Sequence, residues 1–140
     1  MNILPRRGGS MELTLRTEVD SPYAETVARV REALMEQGFG VLTEIDVRKT
    51  LKDKIDVDVE SQVILGACNP QLAHRALEAD PRIASLLPCN VVVRTEGGRT
   101  IIEAVNPQLL AEVSGSPALG AIAEEAGSRI QAALDATAAG

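Results

Sequence analysis

The segment Gly66-Ala67-Cys68-Asn69-Pro70-Gln71-Leu72-Ala73-His74, together with the later segment Leu86-Leu87-Pro88-Cys89-Asn90-Val91-Val92-Val93, decides the fold that we predict. The residues leading into the first segment form an apolar run from Val63, of the length expected for a central strand that is covered on both faces. Asn69-Pro70 then combines a favoured N-cap residue with a proline at the first helical position. The pattern predicts a buried strand that ends at Cys68 and a helix that begins at Pro70.

The chain between the two segments predicts a return to the same edge of the sheet. Asp80-Pro81 repeats the combination of cap and proline and starts a second, shorter helix, which Pro88 ends. Two consecutive helices can carry the chain away from the sheet and back again. We therefore expect Cys89 to begin its strand at the edge where Cys68 ends the preceding one.

The rest of the chain predicts an α+β fold with a single mixed, mainly antiparallel sheet of about five strands and helices packed against it. Five of the seven prolines follow Asn, Asp or Ser at predicted helix starts, and Gly97-Gly98 predicts a tight hairpin. The predicted strands are Met11–Val19, Phe39–Val47, Gln62–Cys68, Cys89–Glu96 and Arg99–Val105. The predicted helices cover Pro22–Gln37 and Arg48–Ile55, and four more begin at Pro70, Pro81, Pro107 and Pro117.

The length of 140 residues predicts one domain. We expect residues 1–10 to be a flexible N-terminal extension and residues 11–138 to form a single α+β domain. The extension contains two arginines without an apolar stretch after them, so it does not resemble an export signal.

Composition argues against several classes of partner. The net charge of −6 opposes nucleic-acid binding, which depends on clustered Lys and Arg. The sequence has no run of eighteen apolar residues, so we expect no membrane-spanning helix. Two cysteines without a secretory leader are typical of a reducing compartment, and we expect a cytoplasmic protein.

The cysteines and the only histidine form the main candidate site. If the chain returns as predicted, Cys68, Cys89 and His74 lie near a helix N-terminus, which favours a thiolate over a thiol. Thiolates bind soft metal ions and attack electrophiles, but the spacing matches no familiar zinc pattern, and a fourth ligand would have to come from a partner chain. The alternative is that both cysteines are small buried packing residues and that His74 faces solvent.

A second candidate is a basic cluster in an otherwise acidic chain, composed of Arg48, Lys49, Lys52 and Lys54. It could hold a phosphate or carboxylate, although nearby aspartates offset its field, and the alternative is a solvated helix face. No nucleophile elbow, phosphate-binding loop or dinucleotide motif occurs in the sequence. These observations favour a non-enzymatic role.

Several of these motifs in combination resemble the family of domains of unknown function 302, from about Met11 to Leu134. The resemblance lies in Gly38-Phe39-Gly40-Val41-Leu42, Glu44-Ile45-Asp46-Val47, Thr50-Leu51-Lys52-Asp53-Lys54, Gly66-Ala67-Cys68-Asn69-Pro70 and Leu86-Leu87-Pro88-Cys89-Asn90-Val91. It implies a compact α+β domain, a homodimer and a bacterial or archaeal origin, but no established activity. The positions that match the family's signature are Asp46, Thr50, Leu51, Lys52, Lys54, Cys68, Asn69, Pro70, Leu87, Pro88 and Cys89, and His74 matches many members.

Three functions follow as hypotheses. The first is a small dimeric binding or accessory domain that holds a small ligand or a metal ion, with the ligand-binding candidates Asp46, Lys52, Cys68, Asn69, His74 and Cys89. The second is a thiol-based redox enzyme or sensor in which Cys68 attacks and Cys89 resolves. The third is a structural interaction module whose dimer surface is its function.

Overall fold

A computed structural model describes residues 12–140, and the predicted extension at residues 1–10 lies outside this range. The described chain contains five strands: β1 (Thr14–Val19), β2 (Gly40–Asp46), β3 (Gln62–Cys68), β4 (Cys89–Glu96) and β5 (Arg99–Val105). Its α-helices are α1 (Tyr23–Glu36), α2 (Val47–Ile55), α3 (Pro70–Ala79), α4 (Pro107–Ser114) and α5 (Pro117–Ala139), and a 3₁₀ helix covers Pro81–Leu86. Among these residues, no helix has both the length and the apolar character needed to cross a membrane.

The strands form one sheet in the order β1-β5-β4-β3-β2, and all four neighbouring pairs are antiparallel. This confirms the predicted α+β class and the single, mainly antiparallel sheet. Buried residues alternate along the central strands, for example Val63, Leu65 and Ala67 on β3. They pack against α1 and α5 through side chains such as Leu34 and Ile130. The core therefore lies between one face of the sheet and these two helices.

Side-chain caps define several of the predicted helix starts. The carboxamide oxygens of Asn69 and Asn106 and the carboxylate of Asp80 each accept a backbone N–H of the first turn that follows. Ser21 does not cap α1 as its position suggests, because α1 begins one residue later with Pro22 at the cap position. The Ser21 hydroxyl lies 2.9 Å from the hydroxyl of Thr26 instead.

The chain path between β3 and β4 matches the prediction. The helix α3 leaves the end of β3, the 3₁₀ helix returns, and Cys89 then begins β4 directly opposite Ala67. The hairpin between β4 and β5 turns at Gly97 and Gly98, which have φ angles of 57° and 81°. The two cysteines therefore lie at the same end of adjacent strands.

Candidate functional site

The two cysteines occupy neighbouring strand ends with different exposure. Cys68 is the last residue of β3, opposite Gly40 of β2, and it is half-buried. Cys89 is the first residue of β4 and is only 8% exposed. Both are free thiols. This end of the sheet therefore presents one accessible and one buried sulfur atom.

A glycine brings the chain segments around the cysteines close together. A Cβ atom at Gly66 would lie 2.1 Å from Oγ1 of Thr43 and 2.9 Å from Cγ of Pro88, so a side chain here requires both neighbours to shift. Pro88 follows Leu87 through a cis peptide bond and directly precedes Cys89. The absence of a side chain at position 66 thus allows Pro88 to pack on β3 and sets the start of β4.

An apolar cavity of about 60 Å³ opens beside the cysteines, and we call it the thiol cavity. Its walls come from the sheet end, the 3₁₀ helix and three α-helices, and they include Cys68, Cys89, Leu72, Ile83, Leu110 and Ala123. Asn69 is the one residue with a polar amide side chain among the described lining residues, which include no charged group. Its amide oxygen already accepts the Leu72 N–H at 3.1 Å, as the N-cap of α3. The cavity is therefore suited to uncharged groups.

Burial determines the protonation of Cys89. Loss of solvent, with a smaller contribution from Cys68 in the same direction, raises the pKa of this thiol from 9.0 to about 11. Cys89 is therefore a neutral thiol at pH 7. Because the thiolate is the nucleophilic form, Cys89 is a poor nucleophile in the folded protein.

His74 does not join the cysteines at the cavity. Its side chain is 75% exposed, and Nδ1 lies 3.9 Å from Oε1 of Glu78 one turn further along α3. The residues of α3 that line the cavity are Leu72, Ala73 and Ala76, so the imidazole projects from a different part of the helix surface. The expected convergence of His74 with Cys68 and Cys89 is therefore not found.

Asp46 and Lys52 lie near the opposite end of the sheet. Gly40 at the start of β2 pairs with Cys68, whereas Asp46 at its end pairs with Val63. Six residues of extended chain separate the two ends by about 20 Å. Asp46 caps α2 by accepting the Lys49 N–H at 2.9 Å, so its position has a structural explanation.

Two members of the basic cluster on α2, Lys49 and Lys52, pair with acidic neighbours. Lys52 forms ion pairs with Asp56 at 2.8 Å and with Asp58 at 3.4 Å. Lys49 pairs with Asp53 at 2.5 Å. These contacts support the alternative reading of a solvated helix face.

The walls contributed by α4 and α5 were not predicted as part of a site. Leu110, Leu119 and Ala123 repeat with the spacing of ordinary core positions, so nothing in the sequence distinguishes a cavity wall from the core. Within the described range 12–140, no three His, Cys, Asp or Glu side chains group closely enough to hold a metal ion. The site thus consists of two thiols and an apolar cavity.

Comparisons with known proteins agree with this fold. The family model described as "Domain of unknown function DUF302" matches residues 15–137. The crystal structure of an uncharacterized conserved DUF302 protein from Bacillus stearothermophilus is similar, with a TM-score of 0.86 and 35% sequence identity, over 90% of this chain and 98% of the other. A comparison with curated proteins gave no match. With a family match over nearly its whole length and the same fold in a solved relative, the chain belongs to the DUF302 family.

Proposed function

We propose that this domain is a binding or accessory domain whose ligand is a small, uncharged, apolar molecule, or the apolar end of a larger one, held in the thiol cavity. The observation that carries the proposal is the chemical uniformity of the walls, in which Asn69 has a polar amide side chain and that amide already caps α3. A charged ligand would lose its hydration there without gaining a counter-charge. An apolar group would gain contacts with every wall.

The size of the cavity limits the ligand. An engineered cavity of about 150 Å³ in another protein stays dry and binds benzene, so about 60 Å³ accepts a smaller group such as a short aliphatic chain. Burial of about four methylene or methyl groups contributes about 3 kcal/mol. This corresponds to a Kd in the millimolar range for an isolated fragment. A natural ligand with tighter binding would extend out of the cavity toward the half-exposed Cys68.

The proposal predicts selective binding of neutral fragments. In a ligand-observed NMR titration, we expect butane-sized alcohols or thioethers to bind the wild-type protein in the millimolar range. Butyrate and butylammonium should bind at least tenfold more weakly, because the walls offer no counter-charge. Ala123→Leu should abolish binding, because the added carbons fill the cavity from α5.

A matched substitution on the same helix provides the control. Ala121 is exposed on α5 and does not line the thiol cavity, so Ala121→Leu should bind the fragments like the wild type. Equal binding by Ala123→Leu and the wild type would place the ligand elsewhere. Equal affinity for charged and neutral fragments would contradict the proposed selectivity.

We also propose that a second copy of the chain covers the exposed edge of the sheet at β2. Leu42 and Ile45 on this edge strand are 68% and 49% exposed, and Ile55 and Val57 are exposed nearby in sequence. An antiparallel edge strand can pair with the same strand of a second copy across a two-fold axis. The mainly basic charges of α2 are followed by the acidic residues Asp56, Asp58 and Glu60, so two copies in antiparallel orientation can also place opposite charges together.

A measurement of the oligomeric state tests directly whether a second copy of the chain covers β2. In sedimentation equilibrium, we expect the wild type to be a dimer and Ile45→Lys to shift the protein to a monomer. Val113 is 76% exposed on α4, away from this edge, and Val113→Lys should leave the dimer intact. A monomeric wild type, or a dimer unaffected by Ile45→Lys, would refute the proposal that β2 forms the dimer interface.

The thiol-redox hypothesis has less support than ligand binding. Cys89, the expected resolving residue, is buried and has its pKa raised to about 11. Its thiolate fraction at pH 7 is about one in ten thousand, so exchange at this sulfur atom is slow. The presence of two free thiols is compatible with a reducing compartment and supports our expectation that the protein is cytoplasmic.

A further inference from the structure

A polar groove lies beside the thiol cavity and shares a wall with it. The groove has a volume of about 400 Å³, and its lining comes from Gly38, the start of α3 and one side of α5. Asn69 and Leu72 line both the groove and the thiol cavity. A ligand chain that leaves the cavity past these two residues therefore enters the groove.

The groove differs from the cavity in charge. Among its described lining residues, the charged ones are Arg75, Arg129 and Glu125. The Glu125 carboxylate accepts a hydrogen bond from Arg75 at 3.1 Å and another from Arg129 at 3.3 Å. The hydrogen bond from Arg75 is the largest of the effects that hold the pKa of Glu125 below its ordinary value, so this carboxylate is ionised at pH 7. Two guanidinium groups and one carboxylate leave the groove one net positive charge, in a chain whose total charge is −6.

Several hydrogen-bond donors of the groove are free to bind a ligand. Each guanidinium group has five N–H donors, and the contacts with Glu125 and with the Gln37 carbonyl use only some of them. The amide oxygen of Asn69 caps α3, whereas within residues 12–140 its Nδ2 donates to no protein group. A Cβ atom at Gly38 would lie 2.9 Å from this Nδ2, so the glycine leaves room for the amide. The groove therefore suits an anion that accepts hydrogen bonds.

We propose that the ligand of this domain is an aliphatic carboxylate, whose chain end fills the thiol cavity and whose carboxylate contacts Arg75 and Arg129 in the groove. This inference rests on the proposed function, because it requires the cavity to hold the apolar end. The carboxylate stays outside the apolar walls, where it keeps part of its hydration and gains two counter-charges. Its single negative charge matches the net charge of the groove, which favours a carboxylate over a doubly charged phosphate.

The length of the chain matters for this arrangement. Butyrate is too short, because it fills the cavity with its own carbon atoms and leaves its carboxylate at the apolar wall. Octanoate has four more carbon atoms and can place its carboxylate beyond Asn69. The weak binding expected for butyrate and the binding expected for octanoate are therefore consistent.

Octanoate, octanol and octylammonium share one chain length and differ in charge, so they test the proposal in ligand-observed NMR titrations of the 140-residue chain at pH 7. We expect the wild type to bind octanoate about fivefold more tightly than octanol, and octylammonium more weakly than either. Arg75→Gln and Arg129→Gln should each weaken octanoate binding about fivefold, the upper range for one exposed charge contact, and leave octanol binding within about twofold. Glu125→Gln should strengthen octanoate binding about threefold, because it removes the carboxylate that competes for both arginines.

Arg48→Gln is the matched control for these variants. It makes the same change in charge at the opposite end of the sheet, where Arg48 donates a hydrogen bond to Ser61. It should bind octanoate within about twofold of the wild type. A loss in Arg48→Gln equal to the loss in Arg129→Gln would overturn the proposal, because the attraction would then come from overall charge. Unchanged octanoate binding in both Arg75→Gln and Arg129→Gln would overturn it as well.

The two proposals fail in different ways. Octanoate binding no tighter than octanol binding, in a wild type that binds neutral fragments, would overturn the carboxylate site and leave the proposed function intact. Absence of binding by octanol and octanoate would overturn both proposals. Ala123→Leu should abolish the binding of octanol and octanoate alike, since both chains require the cavity. Equal octanoate binding by Ala123→Leu and the wild type would contradict a ligand that spans the cavity and the groove.

Discussion

Replacing Gly66 by alanine should destabilise the protein because the glycine allows two segments to meet at the thiol cavity. The new Cβ atom would lie 2.1 Å from Oγ1 of Thr43 and 2.9 Å from Cγ of Pro88. Thr43 is exposed and can rotate, whereas the proline ring is attached to the backbone that leads into Cys89. Overpacking of this kind costs about 1–3 kcal/mol. We expect Gly66→Ala to lower the free energy of unfolding by about 2–3 kcal/mol, near the upper end of this range.

Urea unfolding followed by far-ultraviolet circular dichroism measures this change. With a slope of about 2 kcal/mol per molar urea, the midpoint of unfolding should fall by about 1 M. Removal of the Thr43 hydroxyl relieves the shorter of the two contacts but leaves the contact with Pro88. The double variant Thr43→Ala/Gly66→Ala should therefore recover about 1 kcal/mol relative to Gly66→Ala, after correction for Thr43→Ala alone.

A second glycine of the same sheet serves as the control. A Cβ atom at Gly40, which pairs with Cys68 on the neighbouring strand, meets no atom within 4 Å. Gly40→Ala should change the free energy of unfolding by no more than about 0.5 kcal/mol. If Gly66→Ala is as mild as Gly40→Ala, then Pro88 does not pack on β3 as described.

Three further substitutions distinguish a residue that lines the cavity from residues that match the family but lie outside the cavity. The pKa of Cys89 is about 11 in the folded state against 9.0 ordinarily, so the stability contributed by its neutral form is complete below pH 9 and is lost as the pH rises through 11. Between pH 9 and pH 11 the wild type should lose about 2 kcal/mol more than Cys89→Ala, and equal losses would contradict the burial of Cys89. Asp46→Ala should cost about 1 kcal/mol through loss of the α2 cap while fragment binding remains unchanged, and weaker fragment binding would show that Asp46 contributes to the ligand site. His74→Ala should lie within about 0.5 kcal/mol of the wild type in urea unfolding, and a larger loss would show a contact beyond Glu78.

The sequence allowed the chain path to be predicted because local chemistry determines it. Asn69-Pro70 and Asp80-Pro81 cap and start two helices whatever lies around them, and Gly97-Gly98 turns the last hairpin. These local signals were sufficient to place Cys68 and Cys89 at the same end of adjacent strands.

The composition of the site could not be predicted in the same way. Whether His74 faces the cavity depends on the rotation of α3 against the sheet, which follows from how Leu72 and Ala76 pack. Capping also explains why Asp46 and Asn69 belong to the sequence signature without having to contact a ligand. Matching positions in a family therefore combine residues that shape the fold with residues that line the cavity.

A crystal structure determined under xenon pressure would test the ligand site most directly, since xenon enters dry apolar cavities and is easily located. We expect one xenon atom in the thiol cavity, in contact with Leu72, Ile83 and Cys89, and none in the Ala123→Leu variant. Ordered water in place of xenon in the wild-type cavity, or xenon bound only elsewhere on the protein, would contradict the proposal that this cavity receives an apolar ligand.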